Sequence, residues 1–411
     1  MDEIQERTCS IFFYEGYLGV APTVVTLIRT LENSGYRVIV FATQNSYPCV
    51  KILSHRVRIL YLISGFNFPI ISFFFKVIRK LGFESLALVL DFYLYFFQCL
   101  FKFIIQNQKS DSINIGIDTN GSIAALIKSR IFKQKMIYLS LELNEPSKYK
   151  NIANFLYRFE NEALKLSELI LIQDQDRFQV LSSYHNISNK QVIYLPNSLL
   201  INDKNNNCTL DHQNYFRNIF NLSEEDWPYL ILHAGAIAQE FFSYEIAYAF
   251  SKLDQPYALI FHERKQRSHK ESQILNIKKL NSKNMFLSLN PVDLSELYMI
   301  YSSAHIGLAF YRNDINENYS QIVKASGKLA EYLKYGKPVI VNDIPSLSKI
   351  VCQYGIGQIV KDPSSEVEFE TAIATILADY DNYSKRALYC YQCEFDVSKN
   401  LQIFIHKLNS L

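Results

Sequence analysis

The residues that place the most chemistry in the shortest span are Ser326, Gly327, Lys328 and Glu331, inside the stretch KASGKLAEYLKYGKPVIVND at 324–343. A serine at a helix start caps it, because its hydroxyl accepts a hydrogen bond from a free backbone N–H. Gly327 leaves the first turn bare, so an anion can reach the exposed N–H groups at the positive end of the helix dipole. Lys328 adds a mobile positive charge, and Glu331, three residues on, shares its face. Gly336 can end the helix, and Pro338 prevents it from resuming. A pyrophosphate with a sugar beside it would suit this set: Lys328 and backbone amides for the charge, Glu331 for hydroxyls. The plainer alternative is a capped helix with a solvated Lys–Glu pair.

The other candidates follow apolar, strand-like runs. Asp118 follows Ser112–Ile117 and could orient an acceptor hydroxyl or touch a donor sugar; an Asx turn within Asp-Thr-Asn-Gly is the competing reading. Glu142 follows KMIYLSL and is a candidate acceptor contact, against a simple pairing with Lys148. His262 and Arg264 end the YALIFH run, and Tyr311 follows Ala304–Phe310. His233 also ends a strand-like run, but a lone histidine there is more often packed than catalytic. Gly16 and Gly19 follow SIFFY at 10–14, and Gly235 follows Tyr229–His233. The first pair is spaced G-x-x-G, not G-x-G-x-x-G, which gives no dinucleotide fingerprint. Asp174 follows the run Leu169–Gln173 and leads into a helix, and no metal is expected. Cys390 and Cys393 form a lone C-x-x-C with no second pair, which reads as packing.

These residues need a scaffold that presents polar groups after strands. The run Ser10–Tyr14, helix Pro22–Asn33 and strand Arg37–Ala42 make a β–loop–α–β opening. Strands at Ser112–Ile117, Lys135–Leu141, Leu169–Gln173 and Gln191–Leu195 continue the alternation. Tyr229–His233, Tyr257–His262, Met285–Leu289, Ala304–Phe310, Pro338–Asn342 and Gly357–Val360 repeat it, and the tail after 365 reads as helix. The fold class is therefore α/β, with two Rossmann-like doubly wound domains facing a central cleft, where ligands sit beyond the carboxyl ends of the strands. The expected divisions are a first Rossmann-like domain at 1–200, an Asn-rich linker at 201–226, a second Rossmann-like domain at 227–385, and a C-terminal helix at 386–411.

Composition fits that reading. The 411 residues exceed one comfortable core. The net charge of +2, on 42 basic and 40 acidic residues, gives no reason to expect nucleic acid as a partner. Seven cysteines without a disulfide pattern suggest a reducing compartment. The N-terminus MDEIQERTCS lacks the apolar core of a signal peptide.

The motif S-G-K-L-x-E-Y-L-x-Y-G-K-P-V-I at 326–340 resembles the donor-binding segment of family 4 retaining glycosyltransferases, which have the GT-B fold. Gly16 and Gly19, Tyr194–Ser198, Gly235 and Ala304–Ala309 agree in order, while residues 50–110 are unmatched. The resemblance implies a hexosyltransferase that moves a sugar, with retention, from a UDP- or GDP-sugar to a glycan or lipid-linked acceptor, with 1–200 as the acceptor-binding domain, 227–385 as the nucleotide-sugar-binding domain and the helix at 386–411 packing back on the first domain. The product would be a cell-surface polysaccharide or glycolipid, and no cofactor is required. It implies that Glu331 binds ribose, that Ser326, Gly327 and Lys328 lie at the phosphates, that the Gly loop faces donor and acceptor, and that 262–265 contacts the nucleotide. Asp118, Lys328 and Glu331 are then the candidate catalytic residues. One departure stands out: Val323 occupies the position, eight residues before Glu331, where the family commonly has a first glutamate. It motivates the alternative of an inactive nucleotide- or glycan-binding scaffold. A sugar-nucleotide epimerase of the same fold is a third reading, without identifiable acid and base residues.

The aromatic stretch 66–106 is the last feature. Ser85–Ile105 is about long enough to span a bilayer, but Asp91 and Lys102 interrupt it. Helices packed on a sheet with an aromatic edge toward an anionic membrane surface are expected, the protein being cytoplasmic and peripheral on the inner face of the plasma membrane. A fully buried helix pair is the alternative.

Overall fold

In a computed structural model, the described residues are 7–45, 47, 48, 50, 54–63, 69–80, 84–105, 112–144, 153–200, 214–314 and 317–411. Half of the expected linker, residues 201–213, lies outside them, as does Lys148. The chain divides into two compact units. One holds the residues up to Leu195 together with Val397–Leu411, and the other is built on Pro196–Asp396.

The first unit is a seven-stranded sheet in the order β3-β2-β1-β4-β5-β6-β7. Its strands are β1 (Thr8–Phe13), β2 (Arg37–Thr43), β3 (Val57–Leu62), β4 (Ser112–Ile117), β5 (Lys135–Leu139), β6 (Leu169–Ile172) and β7 (Val192–Tyr194), all parallel. Parallel strands covered by helices on both faces read as continuous apolar runs, and SIFF and VIVFA are buried throughout. The order reverses between β1 and β4, which makes their carboxyl ends the switch point of the sheet. Gly16, just past β1, has φ +68°, and a Cβ there would stand 1.9 Å from the Thr43 carbonyl oxygen. Only glycine fits that turn.

Helix Glu84–Ile105 covers one face of this sheet. Ala87, Asp91, Phe92, Tyr95 and Cys99 form its buried stripe. Asp91 is held inside by the Tyr14 hydroxyl, which donates to its Oδ2. The opposite stripe, Leu86, Leu90, Tyr93, Phe97 and Phe101, is exposed, as are Phe73, Phe74 and Val77 on helix Pro69–Lys80. Among the described residues no helix is long and apolar enough to cross a membrane.

The second unit carries a six-stranded parallel sheet in the order β10-β9-β8-β11-β12-β13. These are β8 (Tyr229–Ala234), β9 (Tyr257–His262), β10 (Met285–Ser288), β11 (Ile306–Ala309), β12 (Val339–Asn342) and β13 (Gly357–Val360). Here the switch point lies between β8 and β11. Helix Gly327–Lys334 packs Leu329, Ala330, Tyr332 and Leu333 into the core. Gly307 lets the Tyr332 ring lie on β11, for a Cβ there would be 2.4 Å from it. The tyrosine hydroxyl then donates to Leu232 O and accepts from Ala234 N, tying the helix to the end of β8. Helix Tyr380–Glu394 belongs to this unit; the last helix, Ser398–Ser410, belongs to the first, where Asn400 donates to Tyr194 O and the Tyr36 hydroxyl to Asn409 Oδ1.

Candidate functional site

At the second unit's switch point, the loop after β8 starts at Gly235, whose φ of +110° suits glycine although a Cβ would find open space. Its N–H donates to His262 O. Farther along, Ile237 N donates to Glu263 Oε2 and Ala238 N to Ser243 Oγ. Glu263 is fully buried and also accepts from Arg264 N and Arg267 Nη1. Glu263 thus fixes the loop after β8 to the end of β9. Sequence reasoning covered Glu263 only as part of the 262–265 segment and missed Arg267 and the pairing of the two; the signal available was a charged residue at each end of a four-residue step just after a buried strand.

Ser326 caps helix Gly327–Lys334, accepting from Leu329 N at 3.1 Å, and is hydrogen-bonded to the Tyr311 hydroxyl. Tyr311, just past β11, is pinned in turn by Asn342, which accepts from its N–H and donates to its carbonyl. Lys328 lies between two rings, its Nζ 4.8 Å from the centroid of Phe241 and 4.5 Å from that of Tyr311. Burial, with Arg264 adding repulsion, pulls its amine down to about 7. The rings can stabilise an ammonium, but no carboxylate salt bridge to Lys328 occurs among the described residues. One turn on, Glu331 is buried, with the Leu199 backbone beside its carboxylate but no hydrogen bond of good geometry to either oxygen. Burial raises its pKa, against the pull of Lys334, whose Nζ is 3.9 Å away. An under-compensated cation and an unsatisfied carboxylate on one short helix are costly, and both are the chemistry a ligand would complete.

The structure therefore groups Tyr311, Ser326, Gly327, Lys328, Glu331 and Arg264 at one end of the second sheet, with Gly235 on the adjoining loop. His262 stands apart from them in function: its ring is buried, its Nδ1 pairs with Ser288 Oγ at 2.9 Å, and burial lowers it to about 4. His262 offers the loop its carbonyl, not its imidazole. His233 is likewise buried, held neutral at about 3 by burial and by Lys328. Val323 lies in a short 3-10 turn, packed against the core. Helix Ser243–Phe250, after β8, carries no basic residue, and Arg312, just past β11, pairs with its Glu245 at 2.7 Å.

In the first unit the switch point carries Gly16, Gly19, Glu15, Asp118 and, nearby, Glu142. Asp118 opens helix Asp118–Phe132 with φ +51° and is buried. Its Oδ1 accepts from Leu141 N at 2.7 Å and Glu142 N at 3.0 Å, so it bridges to the β5 end and is not in an Asx turn. Its Oδ2 has no partner. Burial, then the fields of Glu15 and Glu142, hold its pKa well above the carboxylate range. The Glu142 side chain is exposed. Behind Asp118, Thr119 and Tyr138 both donate to buried Glu160. Cys390 is buried, its thiol pushed up to about 12 by burial, and Cys393 is exposed; both are free.

No known protein family and no curated protein matches the sequence. Solved structures do. HepE of Anabaena, in complex with UDP-glucose, matches with a TM-score of 0.68 at 13% identity, over 98% of this chain and 100% of that one. Sucrose-phosphate synthase from Thermosynechococcus elongatus matches at 0.66 and 14% identity, over 99% and 100%. The chain has the GT-B fold. A trehalose-phosphate synthase from Burkholderia xenovorans, in complex with glucose-6-phosphate, shares it at 0.65 and 12% identity, over 98% and 99%. At such identity the likeness is one of fold, and the chemistry must be argued from the residues.

Proposed function

We propose that the protein is a nucleotide-sugar-dependent glycosyltransferase of the family 4 type, a hexosyltransferase acting with retention. The observation that carries this reading is the pairing of Lys328 and Glu331: an ammonium that makes no carboxylate salt bridge among the described residues, at a capped helix start, and one turn later a buried carboxylate with no well-formed hydrogen bond, only Lys334 and the Leu199 backbone nearby. A nucleoside diphosphate supplies both partners. Its phosphates take the Lys328 ammonium and the first N–H groups of the helix, and its ribose diol donates to Glu331.

During transfer, negative charge grows on the departing diphosphate. Groups already aimed there, Lys328 and the helix N-terminus, with Arg264 beside them, lower the barrier without reorganising. No metal is needed for this step. UDP-sugars and GDP-sugars are the proposed donors, and HepE, seen with UDP-glucose, favours the first. Asp118, with one oxygen held by two amides and the other free, orients an acceptor hydroxyl, and Glu142 contacts the acceptor. Val323 supplies no carboxylate to the donor sugar, which leaves the inactive scaffold as the rival reading.

The acceptor is proposed to be a glycan or lipid-linked sugar, built into a surface polysaccharide or glycolipid on the cytoplasmic side of the plasma membrane. Phe73 and Phe101 are 70% and 66% exposed and belong to the apolar stripes of two adjacent helices, with Lys76 and Lys80 exposed on the shorter. Such a face suits the surface of an anionic bilayer. Binding to phosphatidylglycerol vesicles but not to phosphatidylcholine vesicles, lost in a Phe73→Ser, Phe101→Ser variant, is the expected result.

The test of the function is turnover. Purified protein should consume UDP-sugar or GDP-sugar in the presence of glycan acceptors, and the product's anomeric configuration, read by proton NMR, should match the donor's. Selective donor binding without turnover would favour the scaffold, and an inverted product would remove the family 4 reading.

A further inference from the structure

The carboxyl ends of β1 and β4 lie side by side, since Phe12 pairs with Gly116 in the parallel register. Helix Asp118–Phe132 presses closely on β1 there, for a Cβ on Gly121 would stand 2.2 Å from Phe12 O. Glu15 stands two residues past one strand and Asp118 directly follows the other. Each keeps one buried carboxylate oxygen with no hydrogen-bond partner: Oε2 of Glu15 and Oδ2 of Asp118. Their other anchors are already committed. Asp118 Oδ1 takes two amides, and the Glu15 carbonyl accepts from Asn45 Nδ2 at 3.0 Å.

Two neighbouring buried acceptors without donors are unfavourable in a finished structure. Among the described residues no donor reaches either oxygen, and what opposes their charge is the field of the buried Arg177 guanidinium, which acts on Asp118 and Glu142. Arg177, the buried cation nearby, gives its Nε to Gln173 Oε1 and its Nη2 to Leu141 O. The Lys128 ammonium is buried on Ser10 Oγ. Glu142, exposed, adds a third negative group at the same strand ends. What these two oxygens lack, among the described residues, is a hydrogen-bond donor, and three carboxyl groups against one guanidinium leave the corner ill suited to a further anion.

We propose that Glu15 is a second acceptor-binding carboxyl beside Asp118, and that the two free oxygens take hydroxyl groups of a neutral sugar acceptor rather than a phosphorylated one. The proposal deepens the transferase reading and rests on it. Sugar hydroxyls supply donors of the right kind and number. A phosphate ester would bring only acceptors and two negative charges into a corner of carboxylates. Burial holds Glu15 up at about 7, with Glu142 and Glu160 adding to it, so the corner as it stands can relieve itself only by keeping a proton that the acceptor displaces or shares.

The experiment uses the full chain. Transfer from the donor whose nucleotide binds is measured with a panel of neutral aryl glycosides and with the same sugars as 6-phosphates, for the wild type and Glu15→Gln. Nucleotide affinity and melting temperature are recorded for both. The expected results are turnover of neutral acceptors only, and at least a tenfold rise in acceptor KM in Glu15→Gln with nucleotide affinity unchanged. The variant should melt at or above the wild-type temperature above about pH 7, because it removes a buried carboxylate that native packing leaves unpaired. A preference for the 6-phosphates, no turnover of neutral acceptors by protein that binds nucleotide, an unchanged KM, or a lower melting temperature in Glu15→Gln would each overturn the proposal. Wild-type protein that binds no nucleotide would overturn the transferase reading itself, and this inference with it.

Discussion

Lys328 makes a prediction that pH alone can test. Burial and Arg264 hold its amine at about 7, far below its ordinary value of 10.5. A diphosphate arriving at the helix start favours the charged form, so the bound protein takes up a proton at Lys328. Affinity for UDP should then be flat below about pH 7 and fall by about tenfold per unit above it, until the pKa of the bound state is reached. Between about pH 7 and about pH 9 the loss approaches a hundredfold. The ligand does not mimic this, since its last phosphate pKa is near 6 and it is fully ionised over that range. Lys328→Met removes a charge-assisted contact of about 1.5–3 kcal/mol, so affinity at pH 7 drops by about 10–100-fold and the slope above pH 7 disappears. Calorimetry in buffers of different ionisation enthalpy should find close to one proton taken up near pH 8 by the wild type and none by the variant. The sign for stability is opposite to that of an ordinary ion pair. A lysine depressed in the folded state costs stability below its folded pKa, and that cost fades as pH rises from about 7 toward 10.5. Unliganded Lys328→Met should therefore melt higher than the wild type, most clearly at or below pH 7. Equal pH slopes in the two proteins, or an affinity unchanged across the range, would refute the placement of Lys328 on the phosphates.

Three further outcomes follow from the same structure. Glu331→Gln should melt higher at neutral pH, because a carboxylate with a raised folded pKa loses stability as pH rises through that pKa, and should bind nucleoside diphosphate about 10–100-fold more weakly by titration calorimetry. Glu263→Ala leaves Arg267 without its buried partner and frees Ile237 N, so it should cost about 3 kcal/mol in denaturant unfolding and weaken nucleotide binding through the loop after β8. Gly307→Ala drives a methyl into the Tyr332 ring and should cost about 1–3 kcal/mol in the same assay, with the helix carrying Lys328 displaced.

The scaffold was readable where burial is complete. Runs such as RVIVFA, YALIFH and PVIVN are apolar on both faces because parallel strands are covered twice, and the helix Pro22–Asn33 carries Pro at its first position and Gly35 after its end. β3 was not legible. It is the edge strand of its sheet, alternating buried and exposed residues with Arg58 in the row, and it stands in a region without matching landmarks. The helix Ala153–Leu166 escaped for a similar reason, its polar face being dense with Arg, Glu, Asn and Lys. At the site, Ser326, Lys328 and Glu331 could be picked out because their roles depend on spacing along one helix. Phe241, Glu263 and Asn342 could not, because each acts through a partner distant in sequence: Phe241 on Lys328, Glu263 on Ile237, Asn342 on Tyr311. Asp118 was found as a residue, but its bond to the Leu141 and Glu142 amides depends on strand order, which sequence does not state. Glu15 was passed over beside Gly16, whose turn explained the segment without it.

The most direct test of the central claim is calorimetric titration of the purified protein with UDP, GDP, ADP and CMP, repeated on Glu331→Gln. Selective binding of one nucleoside diphosphate by the wild type, reduced at least tenfold in a variant that remains folded, is the predicted result. Absence of binding by all of them, or equal binding by the wild type and Glu331→Gln, would contradict it.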